Sequence, residues 1–353
     1  VWSTFATLNI ALAEQRRNLI ARNDGDEDRC SVNQGASSLT MSAPRDVVVL
    51  TTKRARKGEA YMSTVAKSGI QSHITVNFPI KSPGDAKALA EELPPLMTDF
   101  AKAQDTVGSV HYSRFLPLND ETLLFLADID GDEEKLFGDL ARSAGLVFDA
   151  IFKHVVEPPS TPVASKPEAF TTWVKHHSTH PLIVYTAFAN SSVQDIQSRA
   201  RAVGFTGSGE QHPLLISLPM KSKLKAFVFE EVILRAAEKK MNQGADSVGT
   251  LHFAHFVPLA DTHLGFFTIF DGNFDKYIQD FTEKIGPVFD LMFKYVSDPP
   301  PTPVAKNASA FLKYSTVYNQ APIGFYSAYP GIQVQDIRAL LADAKVGAAS
   351  ATR

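Results

Sequence analysis

VGSVHYSRFLPLNDETLLFLADIDG runs from Val107 to Gly131, and VGTLHFAHFVPLADTHLGFFTIFDG runs from Val248 to Gly272. The second stretch repeats the first at an offset of 248 − 107 = 141, and the offset holds without a gap to the QDI that begins at Gln194 and again at Gln335. A register kept over that distance marks an internal duplication. Each copy of the stretch reads as a hairpin. SVHYSRFLPL is a strand, Asn119 and Asp120 make the turn, TLLFLADI returns, and Asp130-Gly131 ends the pair.

Outward from the hairpin, the flanking elements also come twice. HITVNFPI alternates as a strand. SPGDAKALAEELPPLMTDFAKAQ follows as helix, entered at Pro83 and split at Pro94 and Pro95. After the hairpin, Leu136, Leu140, Val147, Ile151 and Val155 fall at helical spacing. EPPSTPVA breaks that helix, PEAFTTWVKHH is a shorter one, HPLIVYTAF closes as a strand, and SVQDIQSRARAVG is a further helix. The second copy repeats the order from HPLLISLPM to VQDIRALLADAKVG, with GFTGSGEQ as linker between the copies and the last residues, ATR, frayed.

Each copy is therefore β-α-β-β-α-β with an extra helix before its last strand, the ferredoxin-like split plan, and the fold class is α+β. Helices cover one face of each predicted sheet. The repeated strand nevertheless carries apolar side chains on both parities, Val110, Tyr112 and Leu116 on one and Phe115 on the other. The second face must also be buried, and the simplest cover is the sheet of the other copy, giving an internal α/β barrel or sandwich. The expected divisions are an N-terminal extension over 1–45, a first repeat over 46–205 and a second over 206–353.

In this element order and duplication the chain resembles the dimeric α/β-barrel superfamily, with both halves fused in one polypeptide. Asp130-Gly131 and Asp271-Gly272 are also similar to the end of the GxxDG motif of dye-decolorising peroxidases, haem enzymes with two ferredoxin-like halves. The first glycine of the motif is replaced by Ala127 and Thr268, and no histidine matches a proximal-ligand motif. The resemblance implies a peroxidase- or monooxygenase-like oxidoreductase with haem as a candidate cofactor. Because both copies carry the pair, the aspartates read rather as structural turns between strand and helix.

Composition narrows the partners. The net charge of −3 predicts no general attraction to nucleic acid or anionic lipid. One cysteine, Cys30, allows no internal disulfide and fits a reducing, cytoplasmic location. No run of apolar residues is long enough for a membrane span. The load of 24 phenylalanines predicts large apolar cores or an apolar cavity for a small hydrophobic molecule.

Toward the N-terminus, residues 1–22 read as an amphipathic helix, Asn23–Arg29 and Ser31–Ser38 as a mobile linker, and DVVVLTT as a strand followed by the basic KRARK. The chain begins with Val1, and MSAPRDVVVL makes Met41 an alternative start of translation.

Candidate site residues follow from comparing the copies. His111 and His252 stand at equivalent positions, as acid/base or metal-ligating groups or as packed core histidines; Asp130 and Asp271 accompany them as catalytic candidates. Three residues on, the copies diverge to Arg114 and His255, candidates for ligand contact together with the matched Tyr185 and Tyr326. The acidic run Asp128, Asp130, Asp132, Glu133, Glu134 could bind a cation weakly, but it reads better as a helix start, acids favourable to its dipole. His154, His176, His177 and His180 gather in the first copy alone and could hold a metal there, but no motif assigns one, nor an oligomeric state. A non-catalytic interaction or scaffold module is the rival to the small-molecule reading.

Overall fold

A computed structural model of the chain describes residues 70–229, 235–260 and 263–350. They belong to the compact unit Tyr61–Arg353. The expected N-terminal helix, linker, strand, basic run and alternative start at Met41 lie outside the described residues.

The first copy opens with β1 (Gln71–Pro79), followed by α1 (Pro83–Glu92), a single 3₁₀ turn at Pro94–Leu96 and α2 (Met97–Val107). The predicted split at the two prolines is there for the expected reason: a proline offers no N–H to the preceding turn. The hairpin is β2 (Val110–Asn119) and β3 (Thr122–Asp130), and α3 (Glu133–Phe152) lies behind it. Asp132 caps α3 by accepting from the Lys135 backbone N–H, and the equivalent Asn273 caps its counterpart through Lys276. Four of the five predicted stripe residues, Leu136, Leu140, Val147 and Ile151, are buried along α3, and Val155 is buried just beyond it. Then come α4 (Pro167–His177), the two-residue β4 (Ser178–Thr179), β5 (Ile183–Thr186) and α5 (Val193–Ala202). The second copy supplies β6 (Gln211–Pro219), α6 (Lys223–Val228), α7 (Arg235–Val248), β7 (Leu251–Ala260), β8 (His263–Asp271), α8 (Phe274–Met292), α9 (Ala308–Tyr318), β9 (Ile323–Ser327) and α10 (Val334–Ser350).

The strand order in one sheet is β4-β1-β3-β2-β9, and in the other β5-β7-β8-β6, with antiparallel pairing throughout. The copies exchange their last strands: β9 of the second copy completes the sheet of the first through β2, and β5 of the first completes the sheet of the second through β7. The sheet boundary thus does not follow the chain division at 205/206. The segment joining the copies is held, not loose. A Cβ on Gly207 would fall 2.1 Å from the Gly331 carbonyl, so this close backbone approach requires glycine. Gly209 N–H also donates to Gly331 O at 2.9 Å.

Helix-facing residues of the first sheet, such as Val76, Phe78, Phe125 and Ile129, pack on α1–α4, and Leu214, Ile216, Phe266 and Phe270 pack likewise in the second. Leu116, Leu124 and Leu126 of one sheet meet Leu215, Val257 and Phe267 of the other in a third buried layer. Burial of each such side chain stabilises by about 1.5–3 kcal/mol, so this layer locks the sheets face to face, as the double-sided apolar pattern requires. The fold is α+β, two ferredoxin-like repeats packed through their sheets.

One expectation is corrected. Val110 and Tyr112 were expected on one face. A register shift between them pairs Val110 with Ile129 and Tyr112 with Asp128, neighbours on β3, so they face opposite ways. The same shift recurs between Leu251 and Phe253. A bulge of this kind spends an extra residue and resets the alternation, which counting alone does not detect.

Candidate functional site in the barrel interior

The shared histidines are tied at both ring nitrogens. His111 Nε2 lies 2.8 Å from Asp130 Oδ1 and its Nδ1 lies 2.8 Å from the Tyr329 hydroxyl. His252 Nε2 lies 2.6 Å from Asp271 Oδ1 and its Nδ1 lies 3.0 Å from the Tyr112 hydroxyl. The second oxygen of each aspartate accepts a helix N-terminal N–H at 2.7 Å, Val193 for Asp130 and Val334 for Asp271. Burial pushes the hydroxyls of Tyr112 and Tyr329 well above the ordinary tyrosine pKa, so both remain donors. Each histidine thus sets Nε2 against an aspartate of its own copy and Nδ1 against a tyrosine hydroxyl of the opposite copy. The two sets are interlocking clips between the copies.

Tyr185 and Tyr326 form a second matched pair of clips. Tyr185 of β5 donates to Asp246 Oδ1 at 2.8 Å, and Tyr326 of β9 donates to Asp105 Oδ1 at 2.8 Å. Each hydroxyl ties an exchanged strand to a helix of the sheet it joins, and burial with the nearby carboxylate raises its pKa.

Arg114 and His255 occupy a different place. Strand register directs Arg114, opposite Leu126, and Asp128, opposite Tyr112, into the space between the sheets; His255, opposite Phe267, enters from the facing sheet. They meet two residues that sequence reasoning did not select as site residues. His73 of β1 is directly opposite Asp128 on β3, with Nδ1 and Oδ1 2.6 Å apart. His255 Nε2 is 3.1 Å from the same oxygen, and the rings of His73 and His255 stand edge to face with centroids 4.6 Å apart. The side chains of His73, Asp128 and His255 are only 6%, 2% and 7% exposed, so solvent reaches the cluster just at the edges of the histidines.

The electrostatics of this cluster are unusual. Burial alone would raise the Asp128 carboxyl, but the hydrogen bond from His73, with the Arg114 guanidinium nearby, holds it below the ordinary aspartate value. Burial, reinforced by the neighbouring His73 charge, pushes His255 down to about 3, so its imidazole is neutral. Burial also lowers Arg114, to about 10, with Asp128 opposing the shift, and the guanidinium stays charged at neutral pH. His255 Nε2 and Arg114 Nη2 are buried without a hydrogen-bond partner; the 3.1 Å approach of His255 to Asp128 is not aligned as a hydrogen bond. An unsatisfied buried polar group costs about 1–3 kcal/mol, more when charged.

Internal symmetry supplies the contrast. Asp128 and Arg114 correspond, at the offset of 141, to Ile269 and His255, since 128 + 141 = 269 and 114 + 141 = 255. His73 corresponds to Pro213 at an offset of 140, because β1 and β6 align from Gln71 and Gln211, 211 − 71 = 140. The second copy makes the same sheet with proline and isoleucine where the first has histidine and aspartate.

The histidines expected to gather in the first copy do not meet. His154 pairs with Asp85 and Glu92, while His176 and His177 lie against the backbone carbonyls of Thr172 and Trp173 in their own helix. His177 also stacks on Trp173 at 3.8 Å, beside an open surface groove of about 530 Å³. An apolar void among Tyr185, Met241, Phe256 and Phe281 measures about 20 Å³, too small for a ligand. Nor do the groups implied by the peroxidase resemblance fit a haem: Asp130 and Asp271 are engaged at both oxygens and His111 and His252 at both nitrogens. Among the described residues no helix is long and apolar enough to cross a membrane. The exposed large apolar residues Leu146, Val203 and Val317 are on or next to separate elements.

No family model matches the chain, and no curated protein matches it. Solved structures similar to it include a candidate monooxygenase of Lactobacillus acidophilus NCFM, at 10% identity and TM-score 0.33 over 74% of this chain and 98% of that one. A candidate monooxygenase of Fusobacterium nucleatum subsp. nucleatum has 9% identity and TM-score 0.33, covering 75% and 97%. An anthrone oxidase-like protein has 10% identity and TM-score 0.27, covering 75% and 96%. At these TM-scores the fold stands on the strand order and register of this chain alone.

Proposed function

We propose that the protein is an oxidoreductase of the monooxygenase kind that acts on a small, largely apolar molecule, and that its reacting centre is the His73–Asp128–His255–Arg114 cluster. The observation that carries the reading is the break in internal symmetry. Three ionisable groups are buried, with His73 nearly so, where the sister copy shows that apolar residues can build two of the equivalent strand positions. Two of these groups keep an unsatisfied polar atom, at a cost to stability that packing does not require. Buried groups with perturbed ionisation and open valences concentrate where chemistry is done.

The division of labour follows from charge. Arg114 remains cationic and holds an anionic or enolic oxygen of the bound molecule. Neutral His255 offers an unpaired ring nitrogen, and Asp128, ionised and hydrogen-bonded to His73, steadies positive charge that develops beside it. Leu126 and Phe267, opposite Arg114 and His255 on their neighbouring strands, make the surroundings of that polar end apolar. The test is oxygen uptake with a panel of small phenols, hydroquinones and anthrones. Wild type should consume oxygen with at least one of them, and Arg114→Met and Asp128→Asn should lower the rate by at least about 100-fold, the scale of losing one preorganised electrostatic group. Uptake unchanged in both variants, or absent with the whole panel, would overturn the reading.

A further inference from the structure

We infer that His73, Asp128 and His255 bind one divalent first-row transition-metal ion between the two sheets. This rests on the reading of the same cluster as the working centre and specifies what occupies it. The ligand atoms of the three side chains lie within 4.8 Å of one another, and among the described residues this is the group of three or more such side chains that does so. They come from three strands, β1 and β3 of one sheet and β7 of the other, so they approach a common point from different directions. Bonds of about 2.0–2.2 Å from a metal to imidazole nitrogen and carboxylate oxygen place neighbouring ligand atoms about 3–3.5 Å apart. The separations of 2.6 Å for His73–Asp128 and 3.1 Å for His255–Asp128 need only a small opening to reach that range.

A second observation points the same way. His255 Nε2 is buried, has no hydrogen-bond partner, and lies 3.1 Å from Asp128 Oδ1. A metal bond supplies the partner that this nitrogen lacks. Two imidazoles with one carboxylate are the donors of a transition-metal site, since calcium and magnesium select oxygen donors. Three protein ligands leave coordination positions open for an exogenous molecule. The charges specify that molecule further. A dication and Arg114 against the single Asp128 carboxylate leave an excess of positive charge in a dry interior, so the open positions favour an anion, and Arg114 Nη2, buried and unpartnered, is available to it.

The test is titration of metal-free full-length protein with Co²⁺, followed by visible absorption and by competition with Zn²⁺. Wild type should bind one ion per chain with ligand-field bands of a nitrogen- and oxygen-ligated site. His73→Ala, Asp128→Ala and His255→Ala should each weaken binding by more than the ~10–100-fold that changes outside the ligand shell produce. His154→Ala and His176→Ala should bind as wild type does. X-ray absorption of wild type loaded with Co²⁺ should show scattering from two imidazoles, a readout that needs no variant to fold. Absence of stoichiometric binding, binding indifferent to all three ligand substitutions, or fewer than two imidazoles in the wild-type spectrum would overturn the inference. The two readings separate cleanly. Metal binding that depends on the three residues without oxygen uptake sinks the oxidoreductase reading alone, and uptake by protein that binds no metal sinks this one alone.

Discussion

Replacing Asp271 with alanine should cost about 3–5 kcal/mol of folding stability. Oδ1 takes the His252 Nε2–H at 2.6 Å and Oδ2 takes the Val334 N–H at 2.7 Å. Both donors are stranded in Asp271→Ala, inside a site where the Asp271 and His252 side chains are 2% and 0% exposed. Each stranded donor costs about 1–3 kcal/mol, and loss of the negative charge from the N-terminus of α10 adds about 0.3–1 kcal/mol. That is a large part of a total stability of about 5–15 kcal/mol. Asp271→Asn should be milder, about 1–2 kcal/mol. Its amide oxygen still serves Val334, and the His252 ring can change tautomer because the Tyr112 hydroxyl on its other side accepts as readily as it donates. Asp130→Ala should fall between them, since Asp130 is 16% exposed and water can reach the donors it leaves. The assay is equilibrium urea denaturation followed by circular dichroism, with an unchanged slope and a shifted midpoint. Lys276→Ala, which removes an exposed ion pair to Asp280 at 2.8 Å, is the control and should cost under about 1 kcal/mol. A shift for Asp271→Ala as small as that of the control would refute the view that this aspartate satisfies two buried donors that the fold depends on.

Other outcomes follow from the same geometry. Phe267→Ala, in the layer between the sheets, should lower stability by about 3–5 kcal/mol in denaturant titration. Tyr185→Phe and Tyr326→Phe should each cost about 0.5–1.5 kcal/mol and add in the double variant, because the two clips use different partners. The α5 capping box makes one pH prediction. Hydrogen bonds from the Ser192 side chain and backbone hold Asp195 below its ordinary value of 3.8. Its folded pKa lies below its unfolded one, so its contribution is complete above pH 3.8 and fades as the pH falls through the folded value. The stability gap between wild type and Asp195→Asn, measured by thermal melts across pH, should therefore close on the acid side.

The duplication made much of the architecture legible. Element order, the split at Pro94 and Pro95, the caps after each Asp-Gly turn and the need to bury both sheet faces all follow from local chemistry. The exchange of β5 and β9 does not, because pairing partners across the two copies leave no local signal, and equal copies can pair within or between themselves. The site was legible in part. Identity between the copies drew attention to His111 and His252, yet a feature both halves keep also serves what both halves share, and here each pairs with an aspartate at a helix start. Divergence singled out Arg114 and His255, which lie between the sheets in the polar cluster proposed as the reacting centre. His73 and Asp128 escaped for separate reasons. His73 stands outside the ungapped register, so its replacement by Pro213 was not set beside it. Asp128 lay in an acidic run whose next members do serve a helix start, and only alternation along β3 separates its inward side chain from theirs.

The central claim is that the polar cluster is kept for chemistry rather than for packing, and stability tests it without knowledge of any substrate. The measurement is the urea midpoint of the fully apolar variant His73→Leu/Arg114→Leu/Asp128→Ile/His255→Leu against that of wild type. Exchange of a buried charged network for packed apolar groups is often neutral or stabilising by about 1–4 kcal/mol, whereas removal of one partner alone costs about 3–5 kcal/mol. The account predicts that the apolar variant is at least as stable as wild type while Asp128→Ile alone is much less stable. A fully apolar variant that loses about 3 kcal/mol or more would make the cluster a structural element and contradict the account.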